Sequence, residues 1–210
     1  KAVFDGIWRY DLNHGQAGGR FSGDEHLSGK SPDRGTELCS VVEYMYSLEE
    51  LYAIFGDNRL ADRLELLAFN ALPGTTTPDM WAHQYDQQSN QVIVNGEKRA
   101  WSTNGNYSNI YGLMPNFACC LANMHQGWPK FAQSLWMATN DNGLIAVAYG
   151  PSTVKAKVGN LKEVTINEET DYPFKGAVRF TVNTEKPVRF SLSLRIPGWA
   201  EKAEITYKGK

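Results

Sequence analysis

Residues 36–55 read TELCSVVEYMYSLEELYAIF, and their spacing decides the fold class of the first half of the chain. Leu38, Val41, Val42, Met45, Leu48, Leu51, Tyr52 and Phe55 recur at i, i+3 and i+4. That period lays one apolar stripe along an α-helix. Thr36 reads as the N-cap and Gly56 as the stop. Outward from there, NRLADRLELLAFNAL (58–72) repeats the pattern through Leu60, Leu64, Leu67 and Ala68, and Pro73-Gly74 ends it. A third helix is expected from about Cys119 to about Ala138, bent or divided at Pro129. The Gly-, Ser- and Asp-rich residues 11–35 and the turn-forming residues 98–113 read as loops.

After residue 142 the period falls to two. LIAVAY (144–149), STVKAKV (152–158), KEVTI (162–166), AVRFTV (177–182) and RFSLSLRI (189–196) alternate or are β-branched, with Asn, Gly and Pro between them. Several antiparallel strands in a row after a helical region predict an α + β multidomain chain. Its helical part is set at 1–140 and a β-sandwich at 141–210.

With 210 residues, 42% of them apolar, the chain can bury a sizeable core. A net charge of -2 and the absence of a Lys/Arg-rich run point away from nucleic acid and anionic membranes. No apolar stretch approaches the roughly 20 residues that span a bilayer. The chain starts at Lys1, and its last residues, EITYKGK, look like a strand cut short. It therefore reads as a fragment, and both a cytoplasmic and a secreted origin stay open.

Three cysteines, Cys39, Cys119 and Cys120, do not make a disulfide framework. Glu37-Leu38-Cys39 and Cys119-Cys120 both stand near expected helix starts, where free N–H groups and the helix dipole favour thiolate. Three thiolates and a carboxylate supply the four ligands of a tetrahedral zinc site. Residues one or two apart do not share a face of a regular helix, so convergence needs an irregular helix start. The alternative is three buried, inert cysteines.

Glu25, in SGDEHLSG (22–29), could act as acid and base over a cleft, in competition with Asp24 and His26, or be a solvated loop acid. Glu65 lies between Leu64 and Leu66 and, taken alone, belongs on the exposed face of its helix. Trp81, His83, Gln84 and Tyr85 combine aromatic and amide chemistry suited to a sugar, although one aromatic packed into the core would read the same way. GDEHLSGKS (23–31) resembles a phosphate-binding loop only at its end, because Gly23 is one position too far from Gly29. Asn106-Tyr107-Ser108 is a formal glycosylation triplet of a kind common by chance.

Taken together, TELC (36–39), ADRLELLAFNAL (61–72), FACCLAN (117–123) and LRIPGW (194–199) resemble glycoside hydrolase family 127, the β-L-arabinofuranosidase class, in order and closely in spacing. The resemblance implies the C-terminal part of an (α/α)6 barrel followed by the start of an antiparallel β-sandwich, with the rest of the barrel missing from this chain. It implies zinc bound by Glu37, Cys39, Cys119 and Cys120. Cys119 would be the nucleophile and Glu25 the acid/base of a retaining, exo-acting hydrolase. Glu65 and one of His83 or Tyr85 would contact an L-arabinofuranose-containing glycan. Glu25 lies closer to Glu37 than the family pattern, and HQYDQQ (83–88) differs from members of tested specificity. Two alternatives remain: a non-catalytic zinc or carbohydrate-binding module, and a helical-barrel glycosidase of other specificity with inert cysteines. The isolated fragment is expected to be nearly inactive.

Overall fold

The structure is a computed structural model that describes residues 2–98, 105–114 and 116–207. Residues 99–104, part of the expected loop at 98–113, and 208–210, the end of the expected truncated strand, lie outside these. The chain divides into two compact units. One comprises Lys1–Glu50 and Arg63–Phe131, the other Leu51–Asp62 and Ala132–Lys210.

The first unit opens with α1 (Ala2–His14), which the sequence reading did not name and which takes residues 11–14 out of the expected loop. None of its residues is buried. Arg63 pairs with its Asp11 at 2.8 Å and lies over the Trp8 ring, and Tyr10 meets Phe21 edge-on. A short strand, β1 (Gly35–Glu37), leads directly into α2 (Leu38–Phe55). Thr36 is therefore not an N-cap. Its hydroxyl accepts from Arg20 Nε at 3.1 Å and donates to the Phe21 carbonyl at 2.8 Å.

The stripe expected on α2 is buried at Leu38, Val41, Val42, Met45, Leu48 and Tyr52. Gly56 ends the helix at φ +62°, with its N–H on the Tyr52 carbonyl. The next helix, α3 (Asn58–Leu66), widens into a π-helical turn at Leu67–Ala71, followed by a 3-10 turn at Pro73–Thr75. Leu67, Ala68, Ala71 and Leu72 are buried there.

Strand β2 (Asp86–Gln88) runs antiparallel to β1. The expected helix at 119–138 is three elements: α4 (Ala118–Met124), α5 (Gly127–Gln133) and a strand, β3 (Trp136–Ala138). The break falls at His125-Gln126 rather than at Pro129, which sits in the first turn of α5, where a proline removes no helical hydrogen bond. The α5 side chains tie down the first unit: Phe131 meets Phe69 edge-on, and Trp128 donates to the Ala68 carbonyl at 3.1 Å.

The second unit carries two three-stranded sheets. Strands β5 (Ser152–Val158), β6 (Lys162–Thr170) and β7 (Val178–Asn183) form an antiparallel meander. The other sheet is mixed. Strand β4 (Leu144–Ala146) pairs antiparallel with β3 but parallel with β8 (Leu192–Leu194), which corrects the expectation of uniformly antiparallel pairing. Leu144, Val158, Val164 and Ile166 form the buried cluster, with Trp136, Phe180 and Leu192 packed on it.

A polar anchor accompanies that apolar core. The Arg195 side chain is fully buried, pairs with Asp62 and donates to the Val147 carbonyl. Tyr149 donates to the Arg195 carbonyl, and the Gly198 N–H reaches Asp62 at 3.1 Å. Removing one partner of such a pair leaves a charge without its counter-ion in a dry site. Asp62→Ala is expected to lower stability by about 3 kcal/mol. The readout is a lower urea midpoint at unchanged slope in the full-length protein. Asp62→Asn, which keeps an acceptor, should lose less, and an unmoved midpoint in Asp62→Ala would assign the anchoring elsewhere.

Candidate functional site

The site is built on the ribbon of β1 and β2. Gly35 pairs with Gln88, Thr36 with Gln87 and Glu37 with Asp86. The close approach at Gly35 excludes a side chain, since a Cβ there would stand 1.9 Å from the Asp86 carboxylate. One step further, the Leu38 N–H donates to the Tyr85 carbonyl at 2.8 Å. The chain therefore passes from strand to helix between Glu37 and Cys39. This is the irregular start that lets two residues so close in sequence turn toward one point.

A third segment lies along the ribbon. The Gly23 N–H donates to the Gly35 carbonyl and the Glu37 N–H to the Gly23 carbonyl, each at 2.8 Å. This clamps the loop bearing Asp24, Glu25 and His26. Glu25 is exposed and sits at φ +79°, a left-handed conformation that non-glycine residues hold only when their surroundings impose it. Tyr85 Oη donates to Glu25 Oε1 at 3.3 Å. The Tyr85 ring stacks on Phe117, centroids 3.8 Å apart and planes 13° from parallel. Phe117 is the N-cap residue of α4, so this stack places the start of the helix that carries both adjacent cysteines.

The ligating atoms of Glu37, Cys39, Cys119 and Cys120 all lie within 4.8 Å of one another. The Cys39 and Cys120 sulfurs are 3.4 Å apart, and Cys119 Sγ is 4.0 Å from Glu37 Oε1. Cys120 is fully buried, Glu37 and Cys39 are half-buried, and Cys119 is exposed. Tetrahedral bonds of ~2.3 Å to sulfur put neighbouring donors roughly 3.8 Å apart, so the donor set fits one four-coordinate soft divalent ion.

Burial, then hydrogen bonding to Cys39 and the nearby acids Glu25 and Asp24, pushes Glu37 up to about 8. Hydrogen bonds from Cys120 and its neighbours draw Cys39 down to about 5 against the opposing effect of burial. Cys119 is pushed up chiefly by burial, and Cys120 chiefly by its hydrogen bond to Cys39.

The structure brings Glu37, Cys39, Cys119 and Cys120 to one place and sets Glu25 against Tyr85. Glu65 is buried on α3, one residue from the end of the helix, against the exposed position expected for it alone. His83 is buried and held by paired backbone hydrogen bonds to Gly112, and burial lowers its pKa. Asp24 is buried, with His26 Nδ1 3.6 Å away, which leaves Glu25 as the exposed acid of that trio.

Sequence reasoning passed over Asp86. It is buried opposite Glu37 and pushed up to about 8 by burial and by the charges of Asp24 and Glu37, with Arg20 opposing. Its only sequence signal was an acid set among amides and aromatics.

Residues 14–133 match the family description "Beta-L-arabinofuranosidase, GH127 catalytic domain", more than half of the chain. The chain belongs to glycoside hydrolase family 127. Residues 143–210 match the GH127 middle domain of the same family. No curated protein matches.

Among solved structures, the chain is similar to Ara127N-Se, a GH127 β-L-arabinofuranosidase from Geobacillus stearothermophilus T6. The TM-score is 0.72 at 20% identity, over 97% of this chain and 32% of that one. It is also similar to a structure described as a glycoside hydrolase, at TM-score 0.66 and 22% identity, over 81% of this chain and 27% of that one. The GH127 chain thus spans about a third of the length of the first relative, and at these identities the likeness is one of fold.

The ribbon yields a direct test. Gly35→Ala drives a methyl into the Asp86 carboxylate and should destabilise the full-length protein by about 1–3 kcal/mol. Unchanged stability would show that the close approach is not needed.

Proposed function

We propose that the protein to which this chain belongs is a retaining, exo-acting β-L-arabinofuranosidase with Cys119 as nucleophile, Glu25 as acid/base and zinc held by Glu37, Cys39, Cys119 and Cys120. In this reading residues 1–140 are the C-terminal part of an (α/α)6 barrel and residues 141–210 the start of a β-sandwich. The remaining barrel helices lie in sequence not present here. The observation that carries the reading is the convergence of four donors from two distant motifs, with all ligating atoms within 4.8 Å.

Zinc, when bound by these four residues, keeps a coordinated thiol deprotonated near neutral pH. The chain's own residues supply the rest. Cys119 is the exposed cysteine, so its sulfur is the one a sugar can reach. It attacks the anomeric carbon as the glycosidic C–O bond breaks, and Glu25 gives its proton to the departing oxygen. Glu25 then takes a proton from water. The water oxygen bonds to the same carbon, the C–S bond breaks, and Cys119 leaves as thiolate with the starting stereochemistry restored. The Tyr85 hydroxyl orients the Glu25 carboxylate through their hydrogen bond. Tyr85, Glu65 and His83 are the chain's candidates for reading sugar hydroxyls. The substrate is a glycan ending in L-arabinofuranose.

In the full-length enzyme Cys119→Ala should lower turnover of an aryl β-L-arabinofuranoside by roughly 10³-fold or more. Glu25→Gln should lower it by about 10²–10⁴ while one zinc per chain remains by elemental analysis. Normal turnover in Cys119→Ala removes the nucleophile assignment. Loss of zinc in Glu25→Gln makes Glu25 part of the metal site instead.

A further inference from the structure

A cavity opens in the first unit that none of the four clustered donors lines. Its volume is about 540 Å3, within the range of small-molecule sites. Its walls come from the loop before β1, the π-helical turn at Leu67–Ala71, the 3-10 turn after it and the segment that follows β2. Turns of the π kind are frequent at functional sites.

The lining chemistry narrows what this cavity can hold. Among the described residues, no acid, lysine or histidine lines it. The guanidinium of Arg20 does, but it is buried and engaged within the chain. Its Nε donates to the Thr36 hydroxyl at 3.1 Å, Nη2 to the Ser89 hydroxyl at 2.9 Å and Nη1 to the Ala17 carbonyl. The open groups are amides instead. Gln87 is buried and donates from Nε2 to the Ala71 carbonyl at 2.7 Å, which leaves Oε1 as an acceptor. A Cβ on Gly74 would stand 3.3 Å from that oxygen, so the glycine keeps it uncovered. Gln91 is the reverse: its Oε1 accepts from Gln84 Nε2 at 3.2 Å, which leaves its own N–H groups as donors. Asn70, exposed on the π-helical turn, adds a third amide. Leu66, Val94 and Tyr111 set exposed apolar surface beside these groups.

A neutral sugar matches that set. Its hydroxyls both donate and accept, and its C–H faces pack on apolar and aromatic side chains. The cavity also adjoins the proposed catalytic centre along the ribbon. Asp86 pairs with Glu37, and Gln88, which lines the cavity, lies two residues further along β2, roughly 7 Å at the rise of a strand. We infer that this cavity is a second sugar-binding site, holding the residue of the glycan next to the arabinofuranose that is cleaved. The inference rests on the glycosidase reading above.

The test compares two substrates of the full-length enzyme. One is a β-linked L-arabinofuranose disaccharide; the other is an aryl β-L-arabinofuranoside, which has no second sugar. Gly74→Ala covers the Gln87 oxygen, and Asn70→Ala removes an exposed amide. Each should raise KM for the disaccharide by about 3–10-fold, with kcat, KM for the aryl substrate and the urea midpoint unchanged. If either variant lowers the urea midpoint, Tyr111→Ala replaces it on the same readouts.

An unchanged KM for the disaccharide would overturn the inference and leave the glycosidase reading standing. An equal rise for both substrates would overturn it too, because the substitutions would then act on the cleaved sugar. Wild-type enzyme that turns over neither substrate would overturn the glycosidase reading. Calorimetric titration with the disaccharide then decides the cavity alone: binding that Gly74→Ala weakens sustains a sugar site there, and no binding removes it.

Discussion

The ribbon of β1 and β2 is the constraint on which the GH127 centre rests. Three residue pairs and the bond from the Leu38 N–H to the Tyr85 carbonyl fix where α2 begins. Everything chemical follows from that point. Glu37 is the last residue of a strand and Cys39 the second of a helix, so their side chains escape the divergence that a regular helix imposes. Tyr85 serves three ends at once: its carbonyl seats α2, its ring seats α4 through Phe117, and its hydroxyl meets Glu25. A residue with three such partners explains how motifs 80 positions apart in sequence arrive at one centre.

Much of this was legible in the sequence, and for identifiable reasons. The stripe of α2 was plain because six of its apolar residues are buried on one side. The meander β5–β6–β7 was plain because its long strands keep a period of two. Elements of three residues were not: β1 and β2 are too short to show a period, and their existence is a tertiary fact of close approach at Gly35. The run 119–138 misled because Pro129 is its strongest helix breaker, yet in the first turn of α5 it breaks nothing; the division falls at His125-Gln126, where the Gln126 N–H closes a turn on the Asn123 carbonyl. α1 was passed over although Phe4, Ile7, Trp8 and Leu12 stand at i, i+3, i+4 and i+8, because the reading began at the stronger stripe of 36–55.

The candidate site divides in the same way. Four donors could be named from residue chemistry, and the geometric objection to them was sound for a regular helix; the strand-to-helix passage is what removes it. Glu65 was misplaced when read alone, because a single acid between two leucines gives no sign of which way the helix will face. Asp86 was invisible as a site residue, since it matters only through what stands opposite, Glu37.

The adjacent cysteines carry a consequence for how this chain tolerates changes in length. Consecutive residues of a helix point about 100° apart, so α4 sends Cys119 outward and Cys120 inward. Which cysteine takes which place is set by the two-residue offset between the Phe117 ring, held on Tyr85, and Cys119. Residues before Phe117 lie outside that offset, so the phase of α4 is set by the stack on Tyr85 rather than by the segment that precedes it. One residue added between Phe117 and Cys119 rotates the pair by one position, turning the outward sulfur away and burying the wrong one. The number of residues from Phe117 to Cys120 therefore decides which sulfur faces outward and which is buried.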